Sequence, residues 1–289
     1  MSLLRKERAN VKRLFSLTIL LVIGLLGLFA PVLMPHDPLA VDISKKFLAP
    51  SWDYPLGTDH LGRCVFSRML LGIRYSLGSA LVIQIVAILL AILVGAFVAL
   101  KRGIIDFLFI RICDILLAFP TLVLAFGLLG LLGPSLKNVL IALVFTQFIY
   151  YSRLIRGLFI GMNEKDFIQA ARISGTSGIK LIIRHYIPNL LPPIVTIVVL
   201  DIGKVILEIA GFSFIGLGVQ APIPEWGMMV NEGKQYIRQH PELMLYPGLA
   251  IVLVVLLLNH LASSFKKPDQ QRGNYGESFR STRLNSKNR

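Results

Sequence analysis

Three ionisable residues, Asp201, Lys204 and Glu208, interrupt a long apolar stretch at 190–218. Their spacing of three and seven places them on one face of a helix. Ionisable groups inside a membrane segment are functional candidates, because an isolated charge in lipid is costly. They could line a path for a charged solute, lie near the membrane edge, or form a buried structural ion cluster, since pairing lowers the cost of burying ions. The spacing leaves these interpretations open.

Other residues with metal-binding or catalytic chemistry are scattered. His36, His60 and His240 lack the regular spacing of metal ligands, and isolated histidines are more often structural or solvated. The sequence has no HExxH, GxSxG or phosphate-binding glycine-lysine motif. We therefore predict no catalytic residues, metal site, cofactor or nucleotide hydrolysis in this chain. Cys64 and Cys113 are predicted on opposite sides of a membrane, which excludes a disulfide between them.

The most informative polar stretch is 153–189, which is predicted to form a helix, a glycine turn and a second helix. Pro188 is expected to end the second helix just before the next apolar segment. The stretch could simply be a basic amphipathic loop. It could also dock on a soluble partner, because small side chains permit close approach.

The elements that position these residues are predicted to be membrane helices. The 289 residues are 55% hydrophobic and only 16% charged, with a mean hydropathy of +0.70. This composition excludes a disordered chain and disfavours an ordinary soluble domain. A membrane span needs about 20 apolar residues. Six such segments are predicted, at 14–34, 77–100, 115–133, 136–152, 190–218 and 244–262.

The net charge of +14 supplies the predicted orientation. With the amino terminus in the cytoplasm, 21 of the 30 Lys and Arg residues fall in cytoplasmic segments and eight fall outside. Both termini are then cytoplasmic, and the excess charge is a topology signal rather than a nucleic-acid-binding surface. The predicted divisions are a cytoplasmic amino terminus at 1–13, a first span at 14–34, an extracytoplasmic loop at 35–76, a helical core at 77–262 that includes the loop at 153–189, and a basic cytoplasmic tail at 263–289.

Two local patterns predict how the helices pack. Ala87, Ala91, Gly95 and Ala99 recur every four residues, and such a stripe of small side chains lets two membrane helices approach closely. Pro120 is predicted to kink the third span, because a proline inside a helix removes one backbone hydrogen bond.

The motifs resemble those of binding-protein-dependent ABC importer permeases. The sequence QAARISG at 169–175, followed by Pro188, is similar to the EAA coupling loop, with Gln169 in place of the usual glutamate. This likeness implies a set of residues that couple the chain to a separate ATPase: Asp166, Gln169, Ala170, Ala171, Gly175 and Pro188. PLGTDHLGR at 55–63 and FSFIGLGV at 212–219 resemble the peptide and nickel permease family, in which aspartate commonly stands at the position of Cys64. The segments LDIG, EWG and QYI, at 200–203, 225–227 and 235–237, resemble nickel-type permeases in particular.

The resemblance implies an all-α membrane subunit in the bacterial inner membrane. It implies a second homologous permease in a heterodimer, two cytoplasmic ATP-binding subunits and an extracellular solute-binding protein. The implied cargo is nickel, cobalt or zinc, free or bound to a nicotianamine-like metallophore. Dipeptide or oligopeptide import is the alternative, and a membrane-embedded enzyme or scaffold is the alternative from another class. Residues 221–242 are expected to face outward, either to receive the binding protein or as a hairpin anchored by Trp226.

Overall fold

The computed structural model describes residues 2–263, with side-chain surroundings from residue 14 onward. The predicted basic tail at 263–289 lies outside the described residues except for Ser263. Within the described range no β-strand is present. The helices are α1 (Ser2–Leu28), α2 (Ala30–Leu33), α3 (Val65–Ile73), α4 (Ser79–Lys101), α5 (Gly103–Leu117), α6 (Thr121–Leu132), α7 (Leu136–Asn163), α8 (Asp166–Ile173), α9 (Gly178–Leu181), α10 (Ile187–Ile215), α11 (Trp226–Lys234) and α12 (Glu242–Ser263).

Four helical segments are long and apolar enough to cross a membrane. They are Val65–Lys101, Leu136–Asn163, Gly178–Ile215 and Glu242–Ser263, where the first and third continue through the π turns Arg74–Gly78 and Ile182–Tyr186. The bent pair α5 and α6 supplies a fifth candidate, and Leu14–Leu28 is a shorter apolar helix. The predicted all-α, polytopic fold is confirmed, and its six spans agree roughly with these segments.

The third predicted span is broken rather than gently kinked. Pro120 has an extended backbone and stands at the amino end of α6, and the axes of α5 and α6 meet at 86°. Proline cannot donate the hydrogen bond that would continue α5, and it disfavours helical geometry at the residue before it. The predicted stretch at 115–133 is therefore shared between two helices.

The stripe of small residues on α4 forms the most extensive helix contact in the bundle. Ala87, Ala91 and Ala99 are fully buried, and α4 packs along α7. At Gly95 the backbones come so close that a Cβ would lie 2.8 Å from the carbonyl oxygen of Ser152. The prediction that this stripe permits close helix packing is confirmed.

The buried apolar residues form two clusters at opposite ends of the bundle. One lies at the end that carries α11 and includes Trp226 and Phe212. The other lies at the end that carries α8 and includes Phe159 and Tyr186. We call these the α11 end and the α8 end. Helix α10 contributes to both, because Leu190 belongs to the second cluster whereas Phe212 belongs to the first. A movement of α10 as a rigid body would therefore displace residues in both clusters.

Candidate functional site

The two carboxylates of α10 accept hydrogen bonds from polar side chains of α7. The Tyr151 hydroxyl donates to Asp201 Oδ2 at 2.6 Å, and Gln147 Nε2 donates to Glu208 Oε2 at 3.3 Å. Tyr151 and Gln147 are one helical turn apart, so they form one polar face on α7. The carboxylates of α10 are thus hydrogen-bonded to a neighbouring helix of the same chain.

Lys204 has different surroundings. Its ammonium lies 3.6 Å from Glu208 Oε1, and its side chain is 51% exposed, against 6% for Glu208. Asp201 is half-buried. The three residues share one side of α10 as predicted. The carboxylates contact α7, whereas about half of the lysine side chain is exposed.

The sequence reasoning missed the partners of these residues on α7. Gln147 and Tyr151 are four residues apart in an apolar segment, and this spacing could have indicated a polar face. Gln84 of α4 was also missed, although it is 1% exposed and lies against Tyr151. Neither amide atom of Gln84 has a well-formed hydrogen bond within the described part of the chain. The polar cluster therefore draws on three helices, α4, α7 and α10.

At the α8 end, α8 turns one side toward the bundle and the other toward solvent. Ile168 is fully buried, whereas Phe167 is 43% exposed and Ile173 is 87% exposed. Gln169 and Ala170 are also exposed. An exposed apolar surface on a short polar helix is typical of a site that another protein covers. The remaining predicted residues of this helix have separate positions, as Asp166 is exposed in its first turn and Ala171 is half-buried.

Gly175 ends α8 through a left-handed cap. Its φ of +82° is one that residues with a Cβ rarely adopt. The cap lets the amide of Thr176 donate to the carbonyl of Ala171 at 2.9 Å, and that of Gly175 donate to Arg172 at 3.0 Å. No atom lies within 4 Å of the ideal Cβ position. The glycine is therefore required by backbone conformation rather than by crowding.

The prediction for Pro188 is wrong, because helical structure continues from Gly178 to Ile215. Pro188 lies in the first turn of α10 and follows the π turn Ile182–Tyr186. A proline inside a continuous helix cannot donate to the preceding turn, and its ring crowds the carbonyl there. Widening the preceding turn accommodates the ring without ending the helix.

The α11 end contains a buried ion network that sequence reasoning did not identify. Arg63 Nε binds Asp59 Oδ2 at 2.7 Å, and Arg63 Nη2 binds Glu232 Oε2 at 3.1 Å. Arg68 Nη2 binds the same Glu232 oxygen at 2.6 Å, and its Nη1 lies 3.3 Å from Asp59 Oδ2. The two arginine side chains are 2% and 1% exposed. The network fastens the loop at 35–64 and α3 to α11.

The amino end of α11 is also fixed by buried contacts. Glu225 is fully buried, accepts hydrogen bonds from the amides of Gly227 and Met228, both at 2.9 Å, and accepts one from Ser76 Oγ at 3.0 Å. Trp226 is 2% exposed, and its indole donates to the carbonyl of Met69 at 3.2 Å. The interpretation of Trp226 as an interfacial anchor is therefore wrong, because the ring packs inside the protein.

The three histidines predicted outside the membrane stack on aromatic rings. His36 lies on Tyr54 with ring centroids 4.4 Å apart. His240 lies on Phe47 at 4.0 Å, and His60 lies on Tyr236 at 5.3 Å. Burial lowers the pKa of His60 below its ordinary value. Both cysteines are buried, and neither forms a disulfide.

Two known protein families match this chain, one over its core and one over its amino-terminal part. The family described as "Binding-protein-dependent transport system inner membrane component" matches residues 87–267. The family described as "N-terminal TM domain of oligopeptide transport permease C" matches residues 4–50. Among solved structures, the methionine ABC transporter MetNI in inward-facing conformations has a TM-score of 0.55 at 16% identity, over 70% of this chain and 98% of that chain. This last likeness shows a shared fold.

Curated relatives are similar over nearly their full length. The nickel transport system permease NikC of Escherichia coli K12 is 36% identical over 87% of this chain and 91% of its own. The dipeptide transport system permease DppC of Alkalihalophilus pseudofirmus is 36% identical over 91% and 86%. The metal-staphylopine import system permease CntC of Staphylococcus aureus is 34% identical over 92% of both chains. The chain belongs to the binding-protein-dependent inner-membrane components, and it is a permease subunit of an ABC importer.

Proposed function

We propose that this permease imports a metal ion or a metal chelate, with nickel, cobalt or zinc bound to a nicotianamine-like metallophore as the chelate. The relatives NikC and CntC, named for nickel and metal-staphylopine transport, support this substrate class. Dipeptide import is the second candidate, because DppC is as similar to this chain as NikC is.

The subunit would work with a second homologous permease, two ATP-binding subunits and an extracellular solute-binding protein. The observation that carries this assembly is the exposed apolar side of α8, where Ile173 and Phe167 lie uncovered. This segment also contains the EAA-like sequence at 169–175. We place the surface in the cytoplasm, in contact with an ATP-binding subunit, with both termini on the same side of the cell membrane.

Within the membrane, Lys204 is our candidate for the group that faces the translocation path. A lysine half exposed near the middle of α10 would be costly if it faced lipid, and a partner permease or an aqueous path relieves that cost. Asp201 and Glu208 then have a supporting role, because they attach α10 to α7. Replacing Asp201 with asparagine keeps an oxygen that accepts from Tyr151 but removes the charge.

The experiment is uptake by cells that carry the complete transporter or lack this chain. We expect accumulation of nickel, cobalt or zinc to depend on the chain, and more strongly when a nicotianamine-like chelator is supplied. Uptake of a labelled dipeptide in place of metal would favour the second candidate. If Asp201→Asn lowers uptake while the complex still assembles, the charge serves the path; unchanged uptake assigns Asp201 a structural role.

A further inference from the structure

One polar cluster at the α8 end joins three helices. Arg172 of α8 donates through Nη2 to Asn163 Oδ1, at the end of α7, and to the Tyr186 hydroxyl at 3.2 Å. The Tyr186 hydroxyl in turn donates to Asn163 Oδ1. Tyr186 is the last residue of the π turn that leads directly into α10. A single guanidinium thus connects the proposed docking helix to the helix that carries Lys204.

The rest of the attachment of α8 is small. Ile168 is its one fully buried side chain, and it lies one turn before Arg172 on the same face. The remaining apolar residues of α8 are exposed or half-buried. Half-buried Ala171 packs against the same apolar cluster as Ile168, and Arg172 itself is exposed. A helix that is held by so few contacts can shift relative to the bundle unless they persist.

The two residues that accept hydrogen bonds from Arg172 are buried. Tyr186 is fully buried, and its ring stacks on Phe159 of α7 with centroids 4.9 Å apart. Asn163 is 8% exposed. A charged donor bound to neutral acceptors forms a stronger hydrogen bond than a neutral pair does, and its direction is fixed by the planar guanidinium. A displacement of α8 is therefore transmitted to the start of α10 through Arg172.

We propose that Arg172, Asn163 and Tyr186 form the coupling lock of this permease, which converts movement of α8 into movement of α10. The proposal rests on the function proposed above, in which α8 meets an ATP-binding subunit. The three are positioning residues, because they act on the path through α10. Loss of the lock should leave ATP hydrolysis in place and uncouple it from transport.

The test uses the complete transporter reconstituted with its binding protein, and measures uptake and ATP hydrolysis in the same vesicles. Arg172→Met removes the donor, and Tyr186→Phe removes one hydroxyl but keeps the stacked ring. We expect both variants to lower the uptake per ATP hydrolysed by about tenfold, within the usual range of coupling between distant sites. Asn163→Asp keeps the acceptor oxygen and should retain the parental ratio.

Arg184→Met is the matched control, since Arg184 is an exposed arginine of the same loop and should not alter the ratio. A parental ratio in Arg172→Met or in Tyr186→Phe would overturn the lock. If Arg172→Met fails to assemble, Tyr186→Phe decides alone. The proposed function fails separately, when the parental chain neither co-purifies with ATP-binding subunits nor supports ATP-dependent uptake.

Discussion

At the α11 end, two buried arginines pair with buried Asp59 and half-buried Glu232, whereas at the α8 end apolar side chains such as Ile173 lie open to solvent. Glu225 and Trp226 likewise find their partners within the chain. The buried charges of the first end are paired within the chain, because a buried charge without a partner is costly. Apolar loop residues such as Trp52 are nevertheless exposed there. The second end exposes surface that a partner would cover. The difference shows that internal ion pairs stabilise the α11 end, and it agrees with our proposal that α8 meets an ATP-binding subunit.

The largest expected effect comes from breaking the buried ion network. Arg68→Met leaves Asp59 and Glu232 with one buried arginine between them, and should reduce the free energy of unfolding by about 3–5 kcal/mol. Reversible denaturation in mixed micelles measures this change. Lys45→Met is the control, because its ion pair with Asp42 is about half exposed, and such a pair contributes little to stability. Equal losses in the two variants would contradict the contrast between buried and exposed ion pairs.

The next effect concerns the turn that ends α8. Gly175→Val places a β-branched residue at a φ of +82°, which costs roughly 1–2 kcal/mol and disrupts the cap. Because the turn lies outside the packed bundle, we expect normal amounts of protein in the membrane and loss of ATP-driven uptake. Gly161→Ala is the control, since that helical glycine also has open space around its Cβ position and has no positive φ. Unchanged uptake in Gly175→Val would argue against a coupling role for this turn.

A smaller effect on stability, with a separate effect on assembly, is expected at Ile173. Replacing this exposed residue with serine should change the free energy of unfolding by less than about 0.5 kcal/mol. If an ATP-binding subunit covers Ile173, the same change should weaken co-purification of that subunit, since buried apolar anchors carry much of the binding energy. Leu245→Ser, an exposed apolar position at the start of α12, is the control. Loss of the subunit in both variants would indicate a general defect.

These two ends also differ in how far the sequence predicts them. The small-residue stripe around Gly95 follows from local spacing and is present. Local sequence also marks Pro120 as an irregular position, although the helix breaks there instead of kinking. The contact between Arg63 and Glu232 joins residues 169 positions apart, so no local pattern indicates it. Trp226 was misjudged because its burial depends on Gly72, where a Cβ would lie 2.6 Å from the indole ring. Contacts made by distant segments were therefore the part that sequence reasoning missed.

Within the α8 end, the sequence identified the loop but not its internal contacts. Glycine and small residues at 169–175 mark a turn and an accessible surface. Arg172 was treated as one of several basic residues, because the positions of Asn163 and Tyr186 relative to it depend on how α7 meets α10. Pro188 was misplaced because the π turn before it changes the helical register. The irregular turn, rather than the proline, determines where α10 begins.

The smallest predicted effect is a pH dependence of stability that arises at the α11 end. Burial lowers the pKa of His60, the carboxylates of Asp59 and Glu232 oppose that change, and Arg63 and Arg68 add to it. The unfolded chain therefore binds a proton at higher pH than the folded chain does. Stability should be highest above the ordinary histidine pKa of about 6.5 and should fall as the pH drops through the window between 6.5 and the lowered folded value.

The measurement compares the apparent melting temperature of the parental chain with that of His60→Gln between pH 7.5 and 5.5. Loss of the ring from Tyr236 shifts the variant equally at every pH, so only the slope reports the proton. We expect a shallower slope for His60→Gln. A parental slope in this variant would show that His60 does not cause the loss of stability at low pH, and would remove the histidine from the account of how the α11 end is stabilised.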